Sequence, residues 1–148
     1  MRSMSDDTFE TRVTPLLTAL LEPGETLRGV AASTYQKTFS GWMVAIGTTD
    51  RRLILLGLDR KWQPKGPPQT VSDPAALAAA ELDGAGDGWW TTSAAIADWH
   101  SLILRVRTDD GEKTKLTLTR GGMKLLGGES QEAGVAALTE LLAAARAS

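Results

Sequence analysis

The sequence predicts a mainly β, α+β fold, and three patterns carry that prediction. Two are hairpins, because apolar residues alternate along the arms of residues 42–58 and again along residues 102–118, as they do in half-buried strands. The third is an amphipathic helix at about residues 130–147. The chain has 148 residues, 42% of them hydrophobic, which is the size of one domain with a buried core. Antiparallel strands followed by a helix predict an α+β architecture.

The N-terminal segment is predicted to form an amphipathic helix over residues 6–21. Its apolar residues recur at helical spacing: Phe9, Val13, Leu16, Leu17, Leu20 and Leu21. Pro15 interrupts this pattern because proline has no amide hydrogen to donate. The helix therefore either kinks there or restarts with Thr14 as its N-cap. Pro23-Gly24 ends it, and a first strand is expected near residues 27–33.

The central hairpin is predicted to have two apolar faces. A two-residue loop, Asp50-Arg51, sets Thr48 opposite Leu53 and aligns the rest of the two strands. One face then belongs to the core. The other is apolar as well: Met43, Ala45, Ile54, Leu56 and Leu58. We expect the N-terminal helix or a second copy of the protein to cover this face. We favour the helix, because a neighbour in the same chain loses no association entropy.

The middle of the chain carries weaker signals. Residues 59–68 form a loop by their prolines, and residues 69–72 are expected to form a short strand. Residues 74–82 are ambiguous, since their alanines favour a helix while their short length and position among strands favour a strand. A glycine-rich connection follows at residues 83–88.

The second hairpin is predicted to have a three-residue loop. A two-residue Asp-Gly loop would put charged and apolar residues on the same face. A loop at residues 109–111 instead sets Val106 opposite Thr114 and gives Gly111 the left-handed position that such a loop requires. After a glycine-rich break at residues 121–128, Ser130 is the expected N-cap of the last helix. The buried stripe of that helix is predicted to be Val135, Leu138, Leu142 and Ala145.

Two short motifs resemble the bacterial pleckstrin-homology-like (PH-like) domains and the related GRAM domains. LEPGE at residues 21–25 precedes the first strand, and TTDRRLIL at residues 48–55 spans the central turn. The order of elements is also that of the PH superfold, a bent barrel plugged by a C-terminal helix. The resemblance covers roughly residues 21–146. It implies seven strands, at about residues 26–33, 42–48, 52–58, 68–72, 76–82, 98–108 and 113–120.

The resemblance also implies how the single domain is divided and what it does. Residues 1–22 are a helical extension, and residues 23–148 are the barrel with its helix. Eukaryotic PH domains that bind phosphoinositides carry several cations in the first strand pair, where this chain offers only Arg28 and Lys37. Many PH-like domains instead bind proteins or serve as assembly modules.

Composition excludes several classes of protein. A net charge of −2 argues against a dedicated nucleic-acid binder. The absence of cysteine excludes disulfides and thiolate metal sites. No apolar run approaches the ~18 residues of a transmembrane helix, and the acidic N-terminus is unlike a signal peptide. We expect a cytoplasmic protein with no transmembrane segment.

The residues needed for catalysis are not grouped in the sequence. His100 is the single histidine and has no partner nearby in sequence. Asp109 and Asp110 are typical of a turn. The segment 83–88 lacks the ligand pattern of a calcium loop, and no Ser or Thr follows Lys124 as a phosphate loop requires. We therefore expect no catalytic, metal or cofactor site.

Three surface clusters are candidate interaction sites. A cationic loop with an aromatic residue suits an anionic lipid surface or an anionic partner; its residues are Arg60, Lys61, Trp62 and Lys65. The alternative, which we favour, is a solvated loop with Trp62 folded onto the barrel. The second hairpin sets Arg105 opposite Lys115 and Arg107 opposite Lys113. Such like-charged pairs destabilise a sheet unless an anion or a nearby acid relieves them, and Asp109, Asp110 and Glu112 are near enough in sequence to do so. The third cluster is Trp89 and Trp90, which either form an interaction surface or pack under a loop.

These patterns predict a non-catalytic PH-like binding or assembly module that acts through protein contacts, including contacts with a second copy of itself. The alternative is a peripheral membrane module that binds anionic lipid head groups through the basic loop. A small-molecule enzyme is a distant third prediction.

Overall fold

The structure is a computed structural model that describes residues 9–35, 43–84, 101–119 and 129–147. These residues form three helices, α1 (Phe9–Thr18), α2 (Pro74–Ala79) and α3 (Glu129–Ala147). They also form seven strands: β1 (Leu27–Tyr35), β2 (Met43–Thr49), β3 (Leu53–Leu58), β4 (Gln69–Val71), β5 (Glu81–Gly84), β6 (Ser101–Arg107) and β7 (Lys113–Thr119). The predicted α+β fold is confirmed, and its order of elements is consistent with a PH-like barrel.

The strands form one antiparallel sheet in the order β4-β3-β2-β1-β7-β6-β5. Strand β1 joins the two halves, because Ser33 pairs with Val44 of β2 on one side and with Leu118 of β7 on the other. The registers predicted for both hairpins are confirmed. Thr48 lies opposite Leu53 in the first hairpin.

The turn of the second hairpin also has its predicted geometry. Val106 lies opposite Thr114, and Gly111 has a φ of 93°, in the left-handed region that favours glycine. The alternation of apolar residues and the chemistry of the turn therefore indicated the same register.

Helix α3 packs very closely against β1 on the inner face of the sheet. Val135, Leu138 and Leu142 are buried, as the predicted stripe requires. They belong to the apolar cluster between this helix and the inner face of the sheet, called the inner core below. Gly134 faces the backbone of Val30 so closely that a Cβ atom there would overlap the Val30 carbonyl. The predicted N-cap is wrong, since the helix begins at Glu129 and Ser130 lies inside it.

Helix α1 covers the outer face of the central hairpin. Val13 and Leu17 are fully buried, and they pack in one cluster with the second apolar face of the hairpin, including Met43, Ile54, Leu56 and Leu58. The sequence left open whether the N-terminal helix or a second copy of the protein covers this face, and in the structure the helix covers it. Pro15 lies within a continuous helix, so the helix does not restart after Thr14.

The strand that the resemblance implied at about residues 76–82 is wrong for most of that segment. Residues 74–79 form α2, and β5 begins only at Glu81. The side chain of Asp73 caps the helix by accepting a hydrogen bond from the Ala75 amide at 3.0 Å, and Pro74 occupies the first turn, where its missing amide has no effect. Leu77 anchors the helix in the inner core. The Asp73 cap and the burial of Leu77 therefore both stabilise the helix.

Candidate interaction groove

A groove opens beside α2 where β6 extends past the end of β5. Strand β5 pairs with β6 only as far as the Glu81–Arg105 pair, so Val106 and Arg107 lie beyond it. The cavity has a volume of about 770 Å³, which is within the range of ligand sites in proteins. One wall consists of the alanines of α2 and its C-terminal end: Ala75, Ala76, Ala79 and Ala80.

The four cations of the second hairpin line this groove: Arg105, Arg107, Lys113 and Lys115. The register places Arg105 opposite Lys115 and Arg107 opposite Lys113, as predicted. All four residues are exposed. The two carboxylates in the lining are Glu81, which lies opposite Arg105 on the neighbouring strand, and Asp73, whose side chain caps α2. The groove is therefore cationic on its strand side.

Two acids of the nearby turn, Asp109 and Asp110, accept hydrogen bonds from groups other than the four cations. Asp109 accepts hydrogen bonds from the Thr70 hydroxyl at 2.5 Å, the Ser72 amide at 2.9 Å and the Ser72 hydroxyl at 2.8 Å. Burial disfavours ionisation of Asp109, but these hydrogen bonds outweigh it and lower its pKa. Asp110 accepts hydrogen bonds within its own turn, from Thr108 and from the Glu112 amide, and the Thr108 bond is the main reason that its pKa is lowered.

The turn acids thus do not form the ion pairs expected from the sequence. Within the described part of the chain, no carboxylate lies within 4.0 Å of the cationic nitrogens of Arg107, Lys113 or Lys115. Arg107 and Lys113 therefore lie opposite each other on adjacent strands with no acid within 4.0 Å among the described residues.

The basic loop at residues 59–65 is held in place by hydrogen bonds within the loop and by the packing of Trp62. The Asp59 carboxylate accepts hydrogen bonds from the amides of Lys61 at 2.8 Å and Gln63 at 3.1 Å, and these bonds lower its pKa. Trp62 is held against the protein. It packs onto the outer core, the apolar cluster between α1 and the outer face of the central hairpin, and the Arg12 guanidinium lies 5.5 Å from its ring centroid. Three cations of the loop remain exposed: Arg60, Lys61 and Lys65.

Several predicted residues cannot be placed. Trp89, Trp90 and His100 lie outside the described residues, as does the glycine-rich segment 121–128. Among the residues that are described, no group of three or more side chains of the metal-binding types is close enough to hold a metal ion. No helix of the described chain is both long and apolar enough to cross a bilayer.

The structure also shows a buried polar cluster that joins the two motifs of the resemblance. Arg52, from the second motif, donates to both carboxylate oxygens of Glu25, from the first, at 2.8 Å (Nε) and 2.9 Å (Nη2). The Thr49 hydroxyl and the Glu22 amide also donate to this carboxylate, at 2.7 Å and 2.9 Å. Arg52 further donates to the Leu20 carbonyl at 3.1 Å. The cluster thus fixes the end of the N-terminal helical region to the central turn.

The electrostatics of this cluster follow from the burial of Glu25 and from the hydrogen bonds that its carboxylate accepts. The Glu25 side chain is fully buried. The hydrogen bonds from Arg52 are the largest influence on Glu25, and with those of the Glu22 amide and Thr49 they outweigh burial and lower its pKa to about 2. The pKa of Arg52 is raised in return, chiefly by Glu25. The sequence contained both motifs, but nothing in it showed that two residues 27 positions apart are in contact.

Comparisons with known proteins do not identify a family. No protein-family model matches the chain, and no curated protein matches it. Among solved structures, it is similar to the hSac2 domain from the human phosphoinositide phosphatase Sac2 at 18% sequence identity, covering 99% of this chain and 85% of that one, with a TM-score of 0.47. The function is therefore inferred from the chain's own geometry.

Proposed function

We propose that this protein is a non-catalytic binding or assembly module that acts through contacts with another protein, and that the groove beside α2 is its binding surface. The observation that supports this is the Arg107–Lys113 pair, which stays exposed without an acid within 4.0 Å in the described chain. Like charges opposite each other destabilise a sheet. A ligand that supplies negative charge would remove that penalty.

The position of Trp62 disfavours the alternative, a lipid-binding basic loop. An aromatic side chain anchors a loop in a membrane interface only if it can leave the protein surface. Trp62 instead packs on the outer core under Arg12. The exposed cations of the loop, such as Lys61, would then supply only weak, salt-sensitive attraction to anionic lipid.

Contacts with a second copy would also have to use a surface other than the central hairpin. Its outer face, which includes Met43 and Ile54, is already covered by α1. The groove is open on the described part of the chain and combines charge with an apolar wall.

Site-specific photo-crosslinking in the cells that produce the protein tests the proposal. A photoreactive residue replaces Ala79, on the exposed wall of the groove, or Lys61 in the basic loop as a matched control. We expect a protein adduct from position 79 that disappears when Lys113→Glu is added, and none from position 61. An adduct from position 61 alone would contradict the proposal.

Co-sedimentation with anionic vesicles tests the lipid alternative directly. We expect little binding by the wild-type protein at physiological salt. Strong, salt-sensitive binding that is lost in Lys61→Gln/Lys65→Gln and retained in Lys113→Gln would favour the lipid module over the protein-binding module.

A further inference from the structure

We propose that the occupant of the groove is an acidic segment of the partner protein, in which carboxylates contact Arg107 and Lys113 while small apolar side chains lie against the alanines of α2. This inference rests on the proposed function and specifies the chemistry of the partner. Three features of the groove lead to it.

The first feature is an uneven distribution of charge along the groove. The Arg105–Lys115 row lies next to Glu81 of β5, which supplies one negative charge to that row. The Arg107–Lys113 row lies past the end of β5 and has no acid within 4.0 Å among the described residues. The anion therefore binds at the Arg107–Lys113 row.

The second feature is the pairing of an arginine with a lysine at that row. The planar guanidinium of Arg107 can donate two parallel hydrogen bonds to a carboxylate, while the Lys113 ammonium adds a compact charge with three donors. The two residues are directly opposite each other on adjacent strands, so one carboxylate or two consecutive acidic side chains can contact both.

The third feature is the size and apolarity of the opposite wall. A cavity of about 770 Å³ is much larger than a single carboxylate or phosphate requires. Its far side presents the methyl groups of Ala76 and Ala79, and Val106 contributes to the lining. A fully polar head group would leave this wall in contact with water, whereas a peptide with interspersed apolar side chains covers it. This favours a protein segment as the source of the negative charge.

Fluorescence anisotropy with a labelled peptide of alternating glutamate and valine tests the inference. The matched control peptide has lysine in place of glutamate. We expect the acidic peptide alone to bind, with an affinity that falls steeply with salt and that Lys113→Gln weakens about 10-fold. Lys61→Gln, which removes a cation from the basic loop, should leave the affinity unchanged.

A thermal melt of the same variants gives a second readout. If Lys113 destabilises the unliganded sheet and is retained for binding, Lys113→Gln should melt at a higher temperature than the wild type while binding more weakly. If Lys113 had only a structural role, its replacement would lower both the melting temperature and the peptide affinity. Equal peptide affinity in Lys113→Gln and the wild type would overturn the inference.

Other sources of negative charge are tested separately, as competitors of the acidic peptide. Inorganic phosphate and anionic vesicles are added as competitors, and we expect neither to displace the peptide at physiological salt. Failure of the acidic peptide to bind would overturn this inference. The proposed function would still stand if position 79 gave a protein adduct dependent on Lys113, so the two failures are distinguishable.

Discussion

At the scale of single residues, the Glu25–Arg52 pair is a bidentate ion pair whose carboxylate is fully buried. It is buried, it is bidentate, and both carboxylate oxygens have a further donor. A buried ion pair stabilises a fold only when its remaining hydrogen-bonding capacity is satisfied in this way. Because the pair joins the segment before β1 to the turn between β2 and β3, it positions α1 over the outer face.

The pH dependence of stability should report on Glu25. Its pKa of about 2 in the folded protein lies below the ordinary value of 4.5. Its contribution to stability is therefore fully present above pH 4.5 and is lost as the pH falls toward 2, and it amounts to at most about 3 kcal/mol. Glu25→Gln should lower the free energy of unfolding at pH 7, because it leaves Arg52 without its counter-ion.

Urea denaturation of the wild type and Glu25→Gln at pH 7, 4 and 3 measures this effect. The gap between the two proteins should narrow as the pH falls. Glu112→Gln removes an exposed carboxylate and serves as the control, with little change expected at any pH. A gap between the wild type and Glu25→Gln that stays constant from pH 7 to pH 3 would contradict the account.

At the scale of elements, the contact between α3 and β1 depends on the absence of a side chain. Replacing glycine by alanine inside a helix normally stabilises it by about 1 kcal/mol. At Gly134 the added methyl group would overlap the backbone carbonyl of Val30, and a strand backbone cannot move aside without disturbing the sheet. The packing cost therefore outweighs the gain in helix propensity.

Gly134→Ala should accordingly destabilise the protein by about 1–3 kcal/mol, as overpacking does in other cores. Ala143→Gly, at an exposed position of the same helix, should cost only about 1 kcal/mol. Thermal or urea unfolding compares the two variants. An increase in stability for Gly134→Ala would show that α3 does not lie this close to β1.

The elements also show where sequence patterns were sufficient and where they were not. Hairpin registers were predictable because alternation, turn length and the glycine at position 111 all constrain the same pairing. The segment 74–82 was not, because its alanines favour a helix while its short length and position among strands favour a strand, and the Asp73 cap is a signal of only two residues. Contacts between distant segments, such as Glu25 with Arg52, leave no local pattern at all.

At the scale of the whole molecule, the turn of the second hairpin links distant parts of the sheet. Asp109 belongs to the β6–β7 turn, yet its amide donates to the Thr70 carbonyl at the opposite edge strand, β4, at 2.8 Å. Its carboxylate binds Thr70 and Ser72 as well. The sequence showed this residue only as part of a turn, and its role in fixing the hairpin to β4 depends on the tertiary fold.

This arrangement has a consequence for the groove. With Asp109 bound to β4 and Asp110 bound within its own turn, neither carboxylate forms an ion pair with the cations of the groove, while α2 supplies the apolar wall. The cations of the groove were identifiable from the sequence because the hairpin register sets them opposite each other. The groove itself was not, since it depends on α2 being a helix and on β5 ending at Glu81.

Reversing the charge of the groove tests the central claim most directly. Arg107→Glu/Lys113→Glu is titrated calorimetrically with the glutamate–valine peptide and with its lysine–valine counterpart, after circular dichroism confirms that it is folded. We expect the wild type to bind only the acidic peptide and the charge-reversed variant to bind only the basic one. Undiminished binding of the acidic peptide by the reversed variant would contradict it.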